Sequence, residues 1–313
     1  MKTPIITASL LATAAAFAET WSFDPAVPEN NTKSSLIIAE GVEYAIDAEG
    51  GDLSTTGTLQ NKGILTITTG SNSLSIGTSG GFFQNHGTAC IGDATLKNAS
   101  IFNENAGSTM TFTGNADIQV DFTTKNGASA IFKYGSHYTS SKTVTIGNGG
   151  TMVFDNAGAD TINTNWAFQT EANSKIQFNL GNNSLQCTGT SAMIAPNFTK
   201  AMNGQIAIDL AQFVPSDEFI IGEIYTITLL NDKSGQNQCT NWDDVINASE
   251  FITNGEYAEF VENSAKYDES AHLLTIDIKA IPEPAECAAA FALLAAAAAA
   301  WRRKGGLLEK LKY

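Results

Sequence analysis

The stretches NAGSTMTF (105–112), NGASAIF (126–132) and NGGTMVF (148–154) share one pattern, an asparagine-containing turn followed by two apolar residues at alternate positions. Glycine and asparagine tolerate the positive φ values of tight turns, and apolar residues at every second position are typical of a half-buried β-strand. The same pattern follows Asn61, Asn85 and Asn173. The first apolar residue of each pair falls at 65, 89, 110, 130, 152 and 176, so the intervals are 24, 21, 20, 22 and 24. A period in the low twenties indicates stacked supersecondary units.

Further alternating segments lie between these turns, at Leu74 and Ile76, at Ile118, Val120 and Phe122, at Val144 and Ile146, and at Leu185 and Cys187. One unit of two or three short strands cannot bury its apolar face alone, whereas coiling successive units so that equivalent strands pair in parallel can. The pattern predicts an all-β fold, a right-handed parallel β-helix (solenoid) whose six coils span about 30 Å. An antiparallel sandwich of short strands is the competing arrangement, although it predicts no fixed period.

The repeats occupy residues 61–200, and the segments on either side differ from them. Residues 19–60 contain an irregular loop and two strands about Gly41, which we expect to form an N-terminal cap, because an open-ended repeat exposes an edge and a core. Residues 201–280 contain longer apolar strands and predict a C-terminal β cap over the last coil. Its predicted strands are Gln205–Leu210, Phe219–Leu230, Tyr257–Glu262 and Ala271–Ile278, and the stretch from Trp242 predicts a helical turn.

The first eighteen residues read MKTPIITASLLATAAAFA. Lys2 supplies a positive charge, an apolar stretch runs from Ile5 to Phe17, and Ala16 and Ala18 form an A-x-A cleavage site, which is the pattern of a secretory signal peptide. We therefore predict an N-terminal signal helix over residues 1–18 and a mature chain that begins at Glu19.

The other end of the chain, from residue 281, reads IPEPAECAAAFALLAAAAAAWRRK. Pro282, Glu283 and Pro284 form an extended, accessible tripeptide, since each proline disfavours helix in the residue before it. An uncharged Ala- and Leu-rich stretch follows and predicts a short hydrophobic transmembrane helix. A basic cluster, Arg302, Arg303 and Lys304, follows this stretch, and we expect it to be held on the cytoplasmic side of the membrane as a stop-transfer anchor. An ordinary alanine-rich C-terminal helix is the alternative interpretation.

This tail, residues 281–313, resembles the PEP-CTERM sorting signal of bacteria that assemble extracellular polysaccharide. The resemblance implies recognition by an exosortase-type membrane protease, a transient inner-membrane anchor, and a final location at the cell surface, the outer membrane or the extracellular matrix. The repeats resemble the passengers of autotransporter-like β-helix proteins, whose coils read roughly N-x-G-x-L-x-I. Extracellular polysaccharide and other surface proteins are the partners that the two resemblances imply.

The chain carries 17 Lys and Arg against 32 Asp and Glu, and without residues 1–18 and 285–313 it carries 11 against 30, a net charge of −19. So acidic a protein is a poor ligand for the phosphates of nucleic acid. Cys90, Cys187 and Cys239 remain in the mature chain, an odd number whose spacings match no zinc pattern. Cys90 and Cys187 lie within apolar alternations and predict buried thiols, with a Cys187–Cys239 disulfide left open. We predict no metal site and no cofactor.

The sequence contains no G-x-S-x-G, no H-E-x-x-H, no P-loop and no dinucleotide fingerprint, and we predict that the protein is not an enzyme. Its histidines, His86, His137 and His272, lie in separate segments, and the adjacent Asp243 and Asp244 diverge. Two alternatives remain, a β-helix lyase or hydrolase and a glycan-binding protein. Exposed aromatic side chains would distinguish the latter, with Trp166, Phe82 and Phe83 as candidates, and calcium on Asp117 and Asp121 is a further option.

Overall fold

The computed structural model describes residues 19–159, 161–164, 167–187, 191–194, 197–198, 202–232, 239–247, 250–282 and 292–299. In chain order the strands begin with β1 (Glu19–Ser22), β2 (Thr32–Lys33), β3 (Leu36–Ile38), β4 (Glu43–Asp47), β5 (Leu53–Thr55), β6 (Leu59–Asn61), β7 (Ile64–Thr68), β8 (Leu74–Ser75), β9 (Phe83–Asn85), β10 (Thr88–Ile91), β11 (Ala94–Lys97), β12 (Ile101–Asn103), β13 (Thr109–Phe112), β14 (Asn115–Ile118) and β15 (Phe122–Thr124).

The strands continue with β16 (Ser129–Lys133), β17 (His137–Ser140), β18 (Val144–Ile146), β19 (Thr151–Asp155), β20 (Ile162–Thr164), β21 (Ala167–Thr170), β22 (Lys175–Gly181), β23 (Met193–Ile194), β24 (Asn197–Phe198), β25 (Gln205–Gln212), β26 (Ile224–Asn231), β27 (Glu250–Thr253), β28 (Ala258–Phe260), β29 (Lys266–Asp268) and β30 (Leu273–Ala280). Helix α1 spans Trp242–Asn247, and 3₁₀ turns span Pro28–Asn31 and Asn182–Cys187. Residues 292–299 are helical.

Every third strand joins the same sheet, so the chain coils around three sheets. The first sheet is ordered β1-β4-β7-β10-β13-β16-β19-β22-β25-β27, the second β2-β5-β8-β11-β14-β17-β20-β23-β26-β30-β28 with β29 beside β30, and the third β3-β6-β9-β12-β15-β18-β21-β24. Pairing is parallel throughout β1–β24. The predicted β-solenoid is confirmed, and the sandwich alternative is wrong. The handedness of the coil stays a prediction.

The third sheet contains eight described strands, so the chain makes about seven turns from its first strand to its last, over roughly 34 Å at 4.8 Å per turn. Two of these turns come from residues 19–60, where we expected a cap. β4 aligns Tyr44 with Leu65 and Ile46 with Ile67, which extends the repeat pattern although no Asn-Gly turn precedes β4. The loop after β1 lies at the end of the stack, held by the Trp21 Nε1 donor to the Asn30 carbonyl oxygen at 2.8 Å.

The interior is an unbroken column of apolar side chains. All twelve apolar residues of the six sequence repeats are at most 1% exposed, as the alternation predicts. Four phenylalanines lie one above another in the first sheet. The rings of Phe112 and Phe132 stack at 4.7 Å, those of Phe132 and Phe154 are 5.9 Å apart, and those of Phe154 and Phe178 stack at 4.7 Å. This aromatic column stabilises the middle coils.

The six asparagines of the repeats divide into two groups. Asn105, Asn126 and Asn173 have φ values of 88°, 58° and 56°, and Asn148 lies in a turn before Gly149, whose φ is 70°, so the turn prediction is confirmed for these four. Asn61 and Asn85 instead end β6 and β9 with fully buried side chains. The turn prediction is wrong for these two, because the bend begins one residue later and the asparagine side chain faces the core.

Asn61, Asn85 and Asn103 form a buried amide ladder along the axis of the stack. Asn61 Nδ2 donates to Asn85 Oδ1 at 2.7 Å, Asn85 Nδ2 donates to Asn103 Oδ1 at 2.8 Å, and Asn103 Nδ2 donates to Thr124 Oγ1 at 3.1 Å. Each Nδ2 also donates to a backbone carbonyl at 2.8–2.9 Å, belonging to Thr88, Thr109 and Ser129 respectively. Buried polar groups must be paired, and the ladder pairs them between coils.

The C-terminal residues reverse the strand direction. β25 and β26 extend the first and second sheets, and then β30 pairs antiparallel with β26, and β28 and β29 pair antiparallel with β30. The predicted strands and the predicted helical turn are therefore present, except that residues 219–223 precede β26 as a loop. Phe219 is nevertheless buried and stacks on Phe213 at 4.6 Å. The domain boundaries at residues 60, 200 and 280 stay predictions.

The terminal signals lie mostly outside the described residues. These exclude the signal peptide with Ala16 and Ala18, and they exclude Glu283, Pro284, Arg302, Arg303 and Lys304. Among the helices that are described, none is long and apolar enough to cross a membrane. The signal helix and the C-terminal transmembrane helix remain predictions.

Candidate functional site on the third sheet

The third sheet carries two neighbouring aromatic side chains on its solvent side. Its strands alternate, so Phe83 and Ile101 face the core at 0% and 1% exposure, whereas Phe82 and Phe102 face solvent. Phe82 is 48% exposed, and its ring meets that of Phe102 from the next coil edge-on, with centroids 5.8 Å apart at 64°. We call Phe82 and Phe102 the aromatic patch.

Close backbone packing places Phe82 there. A side chain on Gly81 would lie 2.4 Å from the backbone carbon of Gly57 in the coil below, so only glycine allows the two coils to approach at this corner. The Phe82 carbonyl oxygen then accepts from the Leu59 N–H at 2.9 Å. The backbone around Phe82 is therefore fixed, and its ring is presented from a rigid sheet.

Three ionisable side chains border the aromatic patch at the next corner of the coil, and we call them the ion network. Glu104 lies between His86 and Lys125, with its Oε1 3.3 Å from His86 Nε2 and its Oε2 3.1 Å from Lys125 Nζ. Lys125 Nζ also lies 5.2 Å from the centre of the Phe102 ring, a cation–π distance. On the other side, Gln60 Nε2 donates to Gln84 Oε1 at 3.3 Å.

Burial raises the pKa of Glu104, but hydrogen bonds from Lys125 and His86 outweigh it, so the pKa lies below its ordinary value. A carboxylate with a lowered pKa contributes stability above its unfolded pKa of about 4.3 and loses it as the pH falls through the folded value.

We expect Glu104→Gln to lower the melting temperature at pH 7 by about 1–3 °C, because an ion pair of this exposure contributes at most about 1 kcal/mol. The difference should shrink as the pH falls through the folded pKa of Glu104, because the protonated side chain no longer forms the ion pair with Lys125. Melting curves from pH 3 to pH 7 test this, with the exposed Glu43→Gln as the control. A deficit that is the same at all pH values would show that packing, and not charge, is what Glu104 supplies.

The sequence pointed to part of this surface. Of the three candidate aromatics, Phe82 is exposed, Phe83 belongs to the core, and Trp166 lies outside the described residues. Phe102 and the ion network were missed. The signal for Phe102 was present, because Ile101 and Asn103 occupy the inward positions of β12, which leaves the residue between them facing solvent.

A groove of about 340 Å³ lies over the second sheet and includes Asp93, Asp117 and His137 among its lining residues. Asp117 accepts from Gln119 Nε2 at 2.7 Å and from Thr139 Oγ1 at 3.3 Å. Asp121, the second residue considered for calcium, accepts from the Thr143 N–H at 3.0 Å. Within the described part of the chain, no three His, Cys, Asp or Glu side chains are grouped as metal ligands would be.

A cluster of polar and aromatic side chains stabilises the C-terminal cap. Asp232 is fully buried at the end of β26, accepts from the Tyr267 hydroxyl at 3.0 Å, and lies 3.7 Å from His272 Nδ1. The Tyr267 ring stacks on Trp242 of α1 at 5.1 Å. Burial raises the pKa of Asp232 despite Tyr267 and His272. These contacts hold β26, α1 and β29 against one another, so the cluster has a structural role.

Cys90, Cys187 and Cys239 are thiols in the structure. Cys187 and Cys239 are buried, but Cys90 is only half-buried, so the prediction for Cys90 is wrong. Ala89 and Ile91 occupy the inward positions of β10, and the Cys90 sulfur faces the Thr113 hydroxyl at 3.7 Å. Burial raises the pKa of the Cys239 thiol, which donates to Asn241 Oδ1 at 3.0 Å. Such a thiol is not an activated nucleophile.

Comparison with known proteins finds no matching family model, no matching curated protein and no matching solved structure.

Proposed function

We propose that the protein is an exported, non-catalytic component of a bacterial cell surface or extracellular matrix, sorted by an exosortase-type protease and presenting the solenoid for structural or adhesive contacts. One observation carries the proposal. β1 begins at Glu19 in the first coil, β30 ends at Ala280 in the cap at the opposite end of the stack, and Pro282 after it is exposed. The predicted mature chain, from Glu19 to the start of the predicted sorting motif at Pro282, thus contains the coils and the cap.

Accessibility at the C-terminal exit supports this proposal. The Ile281 N–H donates to the Tyr257 carbonyl oxygen at 2.9 Å, and the next residue, Pro282, is exposed. A protease that recognises a motif beginning at the exposed Pro282 would reach this residue without unfolding β30. The surface of the coils is suited to contact, because polar side chains cover most of it.

The test is the intact mass of the protein recovered from the surface, medium and membrane fractions of its own host. We expect a surface or released form that begins at Glu19 and ends near Pro284. A triple variant, Pro282→Ala with Glu283→Ala and Pro284→Ala, should keep its tail and accumulate in the inner membrane, and Glu256→Ala before the exit serves as the control. A surface form that retains residues 302–313 would contradict the sorting proposal.

The groove over the second sheet favours a second candidate, a lyase or hydrolase acting on surface polysaccharide. Asp93, Asp117 and His137 come from neighbouring coils and all line this groove. Against this candidate, Asp117 is already held by Gln119 and Thr139. Release of reducing ends or of unsaturated sugars from the host's polysaccharide, lost in Asp117→Asn, would favour the enzyme.

A further inference from the structure

We propose that the aromatic patch and the ion network form a binding site for a pyranose polysaccharide whose chain lies along the axis of the coils. The inference rests on the proposed function, since it names the ligand that the exported solenoid would hold at the surface.

The aromatic rings supply the apolar part of the site. Phe82 remains 48% exposed although its neighbour Phe83 is fully buried, so the fold presents one phenylalanine to solvent and uses the other in the core. Aromatic faces carry negative charge density and attract positively polarised groups, and the C–H bonds on one face of a pyranose are such groups. Phe82 and Phe102 belong to successive coils and could contact successive stretches of one chain.

The ion network supplies the polar part. Sugar hydroxyls both donate and accept hydrogen bonds, and here an ionised carboxylate on Glu104 stands between donors on His86 and Lys125. The side chains of Glu104 and His86 are only 17% and 20% exposed, so they are ordered before a ligand arrives. Preorganisation reduces the entropy lost on binding. Gln60 and Gln84 add amide groups on the opposite border.

The spacing of the coils indicates the direction in which the polysaccharide chain lies. Gln60 and Gln84 are paired neighbours in the third sheet, as are Gln84 and Phe102, so equivalent positions recur about every 4.8 Å along the axis. That distance is comparable with the length of one sugar residue, so a polysaccharide parallel to the axis meets a similar position at each residue. A chain crossing the axis would meet the site once only.

Charge favours a neutral or weakly charged polymer. Lys62 occupies the corner of the preceding coil that corresponds to His86, because the N–H groups of both residues donate to the coil below, at Ile38 and Asn61. The same corner carries Glu104 and Lys125 in the following coils and Glu171 two coils further on. Two lysines are thus matched by two carboxylates, and this corner is close to neutral on a chain of net charge −15, which suits a neutral or weakly charged sugar chain.

The experiment is affinity electrophoresis of the mature protein, recovered from its host, in gels that contain hydroxyethylcellulose, dextran or the host's own extracted surface polysaccharide. We expect at least one polymer to retard the wild type. Phe82→Ala with Phe102→Ala should weaken binding about tenfold, because it removes both aromatic rings that contact the sugar. Glu104→Gln should weaken it less, and Thr66→Ala, which faces solvent on the first sheet, should not.

Melting temperatures of all variants confirm that they fold, and Phe82→Ala alone serves if the double variant does not. No retardation by any polymer, or equal retardation of wild type and folded variants, overturns the inference. Loss of self-association or of capture by a host surface protein, in the double variant and without any polysaccharide effect, also overturns it by assigning the patch to protein contact. Cell fractionation tests the proposed function independently of polysaccharide binding. A protein that reaches the surface but binds no polysaccharide would refute this inference and leave the proposed function standing.

Discussion

Phe132→Ala should lower the free energy of unfolding by about 3–5 kcal/mol, the usual cost of truncating a buried phenylalanine. Phe132 is fully buried, its ring stacks on Phe112 at 4.7 Å with an interplanar angle of 3°, and it meets Tyr138 edge-on at 5.4 Å. The cavity left by truncation lies in the middle of the aromatic column, where coils on both sides hold the backbone in place and limit collapse. Urea denaturation followed by far-UV circular dichroism measures the loss.

Ile131→Ala is the matched control, since Ile131 is the preceding residue in β16 and is partly exposed on the opposite face of the same strand. Its cost should stay below about 1 kcal/mol. Because each coil contacts mainly its neighbours, the damage in Phe132→Ala should also appear as local hydrogen exchange around β13, β16 and β19 before global unfolding. Equal losses for the two variants would mean that the inward and outward assignments in β16 are wrong.

Asn85→Ala should destabilise the protein more than its small change in volume suggests, because it breaks the amide ladder in the middle. It removes the acceptor of Asn61 Nδ2 and the donors to Asn103 Oδ1 and to the Thr109 carbonyl oxygen. Each buried polar group left without a partner costs about 1–3 kcal/mol. We expect a lower denaturation midpoint and faster exchange at the backbone amides of β6, β9 and β12.

Gln84→Ala provides the comparison for Asn85→Ala. Gln84 is the preceding residue in β9, lies on the solvent side, and shares one long hydrogen bond with Gln60, so its removal should change stability by no more than about 0.5 kcal/mol. If Asn85→Ala proved as mild as Gln84→Ala, water would have to replace the missing amide, and the ladder would not be a determinant of the register between coils.

Two local rules predicted much of the fold from the sequence. The alternation of apolar residues identified the inward positions of β7, β10, β13, β16, β19 and β22, and the period identified the stacking. The period was less visible before residue 61, because Tyr44 and Ile46 follow Gly41 and not an asparagine turn. Only the register of β4 against β7 shows that this segment is another coil.

The candidate site was harder to predict because it depends on contacts between coils. Glu104 is 18 residues from His86 and 21 from Lys125, and since the repeat length varies, sequence spacing does not reveal that the three side chains meet at one corner. The amide ladder was hidden for the same reason. Asn103, unlike Asn61 and Asn85, is not followed closely by glycine, so the three asparagines do not look alike until their strands are aligned.

The strands of the stack run across its axis, and the hydrogen bonds that join them run along it, with β1 and the cap strand β30 at opposite ends. If the C-terminal end is tethered and the first coil adheres to something that moves, tension loads those bonds lengthwise. Each boundary between coils resists with three short ladders, and the chain stored in one coil, 20–24 residues by the repeat intervals, is released when they part. The fold would then absorb a pull in steps, lengthening by roughly 3.5 Å for each residue released, and would keep both attachments intact while it does so.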